Sequence, residues 1–263
     1  IYENNPYVDE IILDDYDKDN SLQVFFRQVN KIRKLKFTHS VMLIPTERIN
    51  WMLFFAGIKN RIGVGHKFYQ FLTNTKSVYR NKYIPLRHEA DYCMDSVRKM
   101  GIETDNLSAE IHLNEEEILK SLNLKREIAP NKEKIIGIHS TYGNSSPNWK
   151  PGEYKFLIDE LEKSNYKIII TDSDPPDELK SLEKVNYPDV SSLRKLFISL
   201  KMCDLFISSS TGPMHAAGAL NVKTLSLFCP LPACSPELWG PKGNESHFIL
   251  PDDGYCGKLC SGN

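Results

Sequence analysis

Residues 204–220 read DLFISSSTGPMHAAGAL, and this segment predicts a buried strand, a tight turn and the first turns of a helix. Its first five residues form the strand, and Thr211, Gly212 and Pro213 are residue types that suit a helix start. Threonine favours the N-cap, and proline fits the first helical position, where its missing N–H costs nothing. Free N–H groups and the helix dipole would then face outward at the carboxyl end of the strand, where α/β proteins bind phosphates.

His215 lies in the first turn of this predicted helix. There its ring can donate a hydrogen bond to a phosphate oxygen. The alternative interpretation is an ordinary strand-to-helix turn with a packed histidine. The residues of the segment alone leave both interpretations open.

The chain from Lys134 onward alternates short β-branched runs with segments of helical periodicity. Strands are predicted at 135–139, 166–171, 204–208 and 224–228, with helices at 152–163 and 191–201, a polar helix after the prolines 175–176, and a short helix ending near 220. This alternation is typical of a parallel sheet with helices on its faces.

The first 125 residues predict a second α/β unit. Residues 37–43 and 61–64 have strand character, and the apolar segment 51–57 between them is predicted to be a helix. A segment at 115–122 ends this unit, and the polar residues 125–134 are the expected linker. We therefore expect one domain at 1–125 and another at 126–263.

Composition excludes several classes of protein. The 263 residues carry 33 Lys and Arg against 34 Asp and Glu, so no overall basic charge points to nucleic acid. No apolar run has the length of a membrane span, and the first residues do not resemble a signal peptide. Six cysteines are too few for a disulfide scaffold and indicate reduced thiols in a cytoplasm.

Further segments accompany residues 204–220 in an order typical of one family. They are NPYVDE at 5–10, RIG at 61–63, HE at 88–89, KMGI at 99–102, Trp149, and WGP at 239–241. With these motifs the chain resembles glycosyltransferase family 9, which contains the bacterial lipopolysaccharide heptosyltransferases. The Thr-Gly-Pro-Met-His segment is the most specific of the motifs.

The resemblance implies an α/β fold of the GT-B type, with two facing Rossmann-like domains built on parallel sheets. It implies that the C-terminal domain holds the nucleotide sugar and that the N-terminal domain is incomplete, since about two βα units precede Ile1 in the family. The implied contacts to the donor diphosphate are Thr211, Gly212, Met214 and His215, with Ser140 and Thr141 after His139 forming a second phosphate turn. Thr171 and Asp172 are expected near the nucleoside.

Two positions depart from the family pattern. Ser210 stands where these enzymes carry an acidic residue that reaches the sugar hydroxyls, and Pro147 stands where they carry a lysine two residues before the tryptophan. Lys150 is the candidate to replace that lysine. Loss of a cation beside a pyrophosphate removes a charge-assisted contact, so Lys150 or the helix amides would have to compensate.

The family also implies a catalytic base and an acceptor. The base is an aspartate expected upstream of Ile1, so no residue of this chain is assigned that role, and Glu47 is the first candidate within the chain. The implied partners are a nucleotide sugar such as ADP-heptose and a lipopolysaccharide core or related glycolipid, with no cofactor and no metal. The resemblance also implies that the protein lies in the cytoplasm, where it could make peripheral contact with the inner membrane.

Three other clusters have competing interpretations. A basic segment holds Arg27, Lys31, Arg33, Lys34 and Lys36. It suits an anionic lipid surface, but a solvated helix face is the favoured interpretation. Four cysteines have spacings that a zinc site would allow, namely Cys229, Cys234, Cys256 and Cys260. An acidic cluster consists of Asp172, Asp174, Asp177 and Glu178. It could bind a metal ion, but the favoured interpretation is that these acids lie at the start of a helix, where negative charge is stabilising.

The leading functional hypothesis is an inverting, metal-independent glycosyltransferase that moves a sugar, heptose by resemblance, from a nucleotide diphosphate to a lipopolysaccharide core. The alternatives are a GT-B enzyme that uses another nucleotide sugar and a non-catalytic nucleotide-sugar-binding protein. Glu47, Arg48 and His66 lie at predicted loop ends that could face the acceptor. A dehydrogenase is disfavoured because no G-x-G-x-x-G follows any predicted strand.

Overall fold

The computed structural model describes residues 1–14, 21–80, 84–141 and 148–252. Its contacts divide the chain into two compact units. The N-terminal unit is Glu10–Asn106, and the C-terminal unit combines Ile1–Asp9 with the chain from Leu107 onward. Each unit contains one parallel β-sheet with helices packed against it.

The N-terminal unit has a three-stranded parallel sheet in the order β1-β2-β3. Its strands are β1 (His39–Met42), β2 (Asn60–Val64) and β3 (Lys76–Val78), and its helices are α1 (Leu22–Lys34), α2 (Glu47–Phe55), α3 (Phe68–Leu72) and α4 (Glu89–Arg98). Strand, helix and strand at 37–64 confirm the predicted α/β pattern. Ser21 and Thr46 cap α1 and α2 through their side-chain oxygens.

Within its described residues, the C-terminal unit has six parallel strands. They are β4 (Ile135–His139), β5 (Lys167–Ile170), β6 (Val185–Asn186), β7 (Leu205–Ser209), β8 (Thr224–Leu227) and β9 (Ser246–Ile249). The helices are α5 (Glu115–Ile128), α6 (Pro151–Glu162), α7 (Leu193–Lys201), α8 (Gly212–Ala219) and the short α9 (Pro236–Trp239). The four predicted strands correspond to β4, β5, β7 and β8 and are confirmed to within about two residues, an ordinary boundary difference. Strands β6 and β9 were not predicted.

The order of the strands is β6-β5-β4-β7-β8-β9. This is the order of a doubly wound Rossmann sheet. In such a sheet the strand order reverses between the first and the fourth strand, so that later strands are added on the other side of the first. Those strands are β4 and β7, which are hydrogen-bonded neighbours. Ligands of such sheets bind outside the carboxyl ends of the strands at this switch point. The turns after β4 and β7 therefore flank the expected ligand site.

The sheet of the C-terminal unit is buried on both faces, as its nearly continuous Ile-rich strands predict. One face packs against α5, α7 and α8 through Ile135, Phe197 and Phe206. The other packs against α6 through Ile138, Tyr154 and Ile168. This double burial fixes the backbone from which the turns at the carboxyl edge extend.

Helix α5 places the boundary between the units earlier than the sequence predicts. The expected linker 125–134 is wrong in its first part, because α5 continues to Ile128. Leu124 and Ile128 pack into the core beneath α7, and Lys125 donates to the Asp204 carboxylate at 2.9 Å. The contacts of α5 thus belong to the C-terminal unit, whose main segment starts at Leu107, whereas the sequence predicts a domain start at residue 126.

The segment after β5 also differs from the prediction. In place of a polar helix, a single turn of 3-10 helix covers Asp177–Leu179. Leu179 is fully buried, and its carbonyl accepts a hydrogen bond of 2.6 Å from the Tyr187 hydroxyl. These contacts turn the chain into β6 before a longer helix can form. The two-residue β6 and the exposed β9 had too little periodic signal to be predicted.

Helix length and composition also bear on membranes. Within the described ranges, none of the helices is both long enough and apolar enough to cross a bilayer.

Candidate active site

The turn between β7 and α8 lies at the carboxyl edge of the sheet, beside the switch point. Thr211 occupies the N-cap position in extended conformation, with φ −139° and ψ 170°. Its side chain does not cap the helix, because Oγ1 donates to the Ser209 carbonyl at 3.4 Å instead. The first amides of α8 are thus left without a cap from Thr211, as an anion-binding helix start requires.

Gly212 is the exposed point of this turn. A Cβ added there would meet no atom within 4 Å, so the backbone borders open space. A ligand can therefore approach the Gly212 N–H closely. Gly212 takes the first helical position, and Pro213, predicted there, is the second residue of α8. The His215 N–H closes this turn on the Thr211 carbonyl at 3.4 Å.

A pocket of about 260 Å³ opens beside this turn. It is lined by Ser210, Thr211, Gly212, His215, Ala233, Cys234 and Trp239. The ring of His215 lies 6.4 Å from that of Trp239, edge to face, and the Trp239 indole N–H donates to the Ala233 carbonyl at 2.9 Å. The pocket thus combines amides of a helix start that Thr211 does not cap, an imidazole and an aromatic wall.

Met214 is less accessible than the other residues of this turn that were predicted to bind the diphosphate. Its side chain is fully buried, and Met214 is not among the residues that line the pocket, so its contact with the diphosphate stays a prediction. Ala233, Cys234 and Trp239 were not predicted as site residues, although Trp239 belongs to one of the family motifs. They lie in the Pro-rich segment after β8. The sequence signal that could have identified them is an aromatic residue that follows a strand of the same sheet.

The turn after β4 forms a second polar cluster. The Asp172 carboxylate, completely buried, accepts hydrogen bonds of 2.9 Å from both the N–H and the hydroxyl of Ser140. Its other oxygen accepts from the N–H of Thr141 at 2.8 Å and from the Thr141 hydroxyl. Ser140, Thr141 and Asp172 are therefore brought together, but Asp172 faces the turn rather than the solvent.

His139 and Thr171 complete this cluster. His139 Nδ1 lies 3.2 Å from the Thr171 hydroxyl and 3.4 Å from the Asp172 carboxylate. Burial lowers the pKa of His139, and the negative charge of Asp172 only partly opposes this shift. Burial together with the same charge raises the pKa of Tyr154, whose hydroxyl donates to Asn148. The cluster is thus a hydrogen-bonded network around one buried carboxylate.

Among the described residues, Lys150 makes no side-chain hydrogen bond or ion pair with either cluster. It is exposed at the N-cap of α6, where its backbone N–H donates to the Glu153 carboxylate at 2.7 Å. Its contact with a diphosphate stays a prediction. Pro147, the other departure from the family pattern, lies outside the described residues.

The acidic and cysteine clusters form no metal site in the described part of the chain, where no three His, Cys, Asp or Glu side chains come together in a way that could hold an ion. Asp172 is buried, whereas Asp174 and Asp177 are exposed and pair with Lys180. Cys229 and Cys234 form no disulfide between described residues, and Cys256 and Cys260 lie outside those residues.

The candidate acceptor residues of the N-terminal unit have local partners. Arg48 pairs with Asp14 at 3.5 Å and lies over the Phe25 ring, and Glu47 accepts from the Trp51 indole at 3.4 Å. The His66 ring packs against that of Tyr79. These contacts do not test whether Glu47, Arg48 or His66 faces the acceptor, and that role stays a prediction.

Comparison with known proteins identifies the family to which the chain belongs. The model of glycosyltransferase family 9 (heptosyltransferase) matches residues 31–258, which is most of the chain. The chain belongs to this glycosyltransferase family. It is therefore an enzyme of the glycosyltransferase class, as its motifs predicted.

Individual relatives of this family 9 transferase are distant. It is 25% identical to a Haemophilus influenzae protein named "Putative glycosyltransferase", over 93% of this chain and 74% of that protein. A family 9 glycosyltransferase from Veillonella parvula has a similar structure, with a TM-score of 0.71 at 17% identity over 91% of this chain and 72% of that one. The E. coli ADP-heptose LPS heptosyltransferase II gives 0.68 at 17% identity, over 88% and 74%. These likenesses show the fold of the family 9 transferase, which is of the GT-B type.

Proposed function

We propose that this transferase moves a heptose from ADP-heptose to a lipopolysaccharide core acceptor, with inversion at the anomeric carbon. The observation that carries the proposal is the uncapped start of α8 at the switch point, open at Gly212 and bordered by His215. The naming of the family after heptosyltransferases, together with the E. coli relative, supports the choice of sugar and nucleotide.

The proposed chemistry follows from the charge that develops during transfer. As the sugar leaves, the nucleotide diphosphate gains negative charge, and catalysis requires groups that bind this charge more strongly than the ground state. The N–H groups of Gly212 and Met214 and the dipole of α8 are fixed in position to do so. His215 adds a hydrogen bond from its ring, and Thr211 and Ser210 border the sugar side of the pocket.

The acceptor side of the proposal rests on the N-terminal unit. A glycolipid acceptor fits the exposed basic residues of α1 and the turn after it, where Arg27, Lys34 and Lys36 face solvent. Arg33 is instead held by the Phe55 carbonyl at 2.6 Å, and Lys31 lies 3.5 Å from Glu10. Anionic headgroups or core phosphates would be attracted to the exposed cations, by about 1 kcal/mol for each one near the surface.

A second candidate is a GT-B transferase that uses another nucleotide sugar. Ser210 favours it, because a hydroxyl there accepts fewer hydrogen bonds from sugar hydroxyls than a carboxylate does. Polar pairing gives such sites their large discrimination between substrates, so this pocket should discriminate less sharply among sugars.

Calorimetric titration with ADP, UDP, GDP and CMP, followed by their sugar conjugates, tests the proposal. We expect ADP to bind most tightly, with ADP-heptose gaining little over ADP because of Ser210. Tenfold tighter binding of UDP or GDP, a difference of about 1.4 kcal/mol, would reject ADP-heptose and leave the second candidate. Failure of every nucleotide diphosphate to bind would reject both.

A further inference from the structure

The turn after β4 has the form of an anion-binding site. The consecutive N–H groups of Ser140 and Thr141 point to one side, together with the hydroxyls of the same two residues. Successive backbone N–H groups of this kind form a concave site that binds phosphates and other anions. In the family resemblance, this turn is a contact of the donor phosphate.

In this chain a carboxylate already occupies the turn. Both oxygens of Asp172 are used, one by Ser140 and the other by Thr141, and the side chain has no exposed surface. A buried carboxylate is stable as the ion only when it is paired or fully hydrogen-bonded, and these four donors supply that condition. A phosphate entering the same turn would meet a like charge at close range, where repulsion is strong.

The turn is also held from its other side. The Asn148 side-chain amide donates to the Ser140 carbonyl at 2.6 Å, and the buried Tyr154 of α6 donates to Asn148 at 2.7 Å. His139 Nε2 lies 3.3 Å from the Thr141 hydroxyl. Contacts from β4, β5 and α6 thus hold Ser140 and Thr141 around the carboxylate.

We infer that Asp172 is a positioning residue that serves as the internal anion of the turn after β4, so that the donor diphosphate is recognised by the turn at α8 and not by the N–H groups of Ser140 and Thr141. The inference rests on the proposed function for the identity of the ligand, but the occupancy of the turn by a carboxylate can be tested without any nucleotide. It also assigns Ser140 and Thr141 a role in holding Asp172 rather than the phosphate.

The first test is chemical rescue of Asp172→Ala. Removal of the carboxylate leaves an anion site of the size of formate, so added formate should raise the unfolding temperature of this variant more than that of the wild type at equal ionic strength. Asp174→Ala is the matched control, because Asp174 is exposed and should show no rescue. If Asp172→Ala does not fold, Asp172→Gly, which also leaves the site empty, replaces it, and recovery of soluble folded protein in formate is measured. Absence of rescue in both variants would overturn the inference.

The second test separates positioning from a purely structural role. In formate-free buffer, Asp172→Ala should bind inorganic pyrophosphate at least tenfold more tightly than the wild type, and formate should abolish the gain. Ser140→Ala in the wild-type background should change ADP affinity less than twofold, measured on folded protein. A tenfold loss of ADP affinity in Ser140→Ala would show that the turn binds the phosphate and would overturn the inference. If ADP does not bind at all, the proposed function fails, and the formate and pyrophosphate results still decide the role of Asp172.

Discussion

At the residue scale, His215 is the side chain most directly linked to the proposed diphosphate site. It lines the pocket beside the uncapped start of α8. His215→Ala should weaken ADP binding by about 1 to 3 kcal/mol, the range for loss of a hydrogen bond to a charged group. Calorimetric titration checks this value, with His247→Ala on the exposed β9 as the control. Equal ADP affinity in wild type and His215→Ala would remove His215 from the site.

Ser210 gives a prediction with the opposite sign. Ser210→Asp should strengthen the binding of ADP-heptose relative to ADP, because a carboxylate accepts charge-assisted hydrogen bonds from sugar hydroxyls. The expected gain is about 1.5 to 3 kcal/mol in the difference between the two ligands. Titration of both ligands into both proteins measures it. A heptose contribution that does not change would show that residue 210 does not face the sugar.

Most of the site residues could be predicted from sequence because they belong to one local motif. Ser210 to His215 are contiguous, and the rules for helix starts place them without any long-range information. Asp172 could not be placed in this way. Whether its carboxylate faces solvent or the turn at Ser140 depends on the pairing of β4 with β5, which the sequence alone does not specify.

At the scale of elements, α5 is anchored to α7 by a charged pair. The Glu117 carboxylate accepts from the Arg194 guanidinium, with Nε at 2.6 Å, and both side chains are largely buried. The hydrogen bond from Arg194 lowers the pKa of Glu117, and burial opposes this shift. The sequence places residues 115–122 at the end of the N-terminal unit, and it cannot show that α5 packs with the C-terminal unit, because the partner Arg194 is distant in sequence.

The pair predicts a pH-dependent stability. Because the folded pKa of Glu117 lies below the unfolded value of about 4.3, its contribution is present above that pH and is lost as the pH falls through the folded pKa. Glu117→Gln should lower the free energy of unfolding by about 1.5 to 3 kcal/mol at pH 7, and the difference should shrink below pH 4. Denaturant unfolding across this range measures it, with the exposed Glu116→Gln as control. A difference independent of pH would argue against the ion pair.

Close packing of β4 gives a second prediction at this scale. A Cβ on Gly137 would lie 2.7 Å from the Cys203 sulfur and 2.9 Å from the Phe206 ring. Gly137→Ala should therefore destabilise the protein by about 1 to 3 kcal/mol through overpacking. Gly152→Ala is the matched control, since a Cβ there meets nothing within 4 Å. Denaturant unfolding of both variants should separate them, and equal stabilities would contradict this packing of β4.

At the scale of the whole molecule, the strand order explains why the site lies where it does. The order β6-β5-β4-β7-β8-β9 places the turns after β4 and β7 side by side at the switch point. Alternating strands and helices predicted a parallel sheet, and the family motifs predicted the GT-B fold. Periodicity could not supply the edge strands β6 and β9, which are short or exposed and are held by pairing with neighbours rather than by a buried pattern of their own.

The position of bound ADP in a crystal structure of this chain tests the central claim most directly. We expect an oxygen of its diphosphate within about 3 Å of the Gly212 or Met214 N–H, with His215 also in contact and Asp172 still bound to Ser140 and Thr141. A diphosphate seated on the Ser140 and Thr141 amides with Asp172 displaced, or bound away from α8 altogether, would contradict the account.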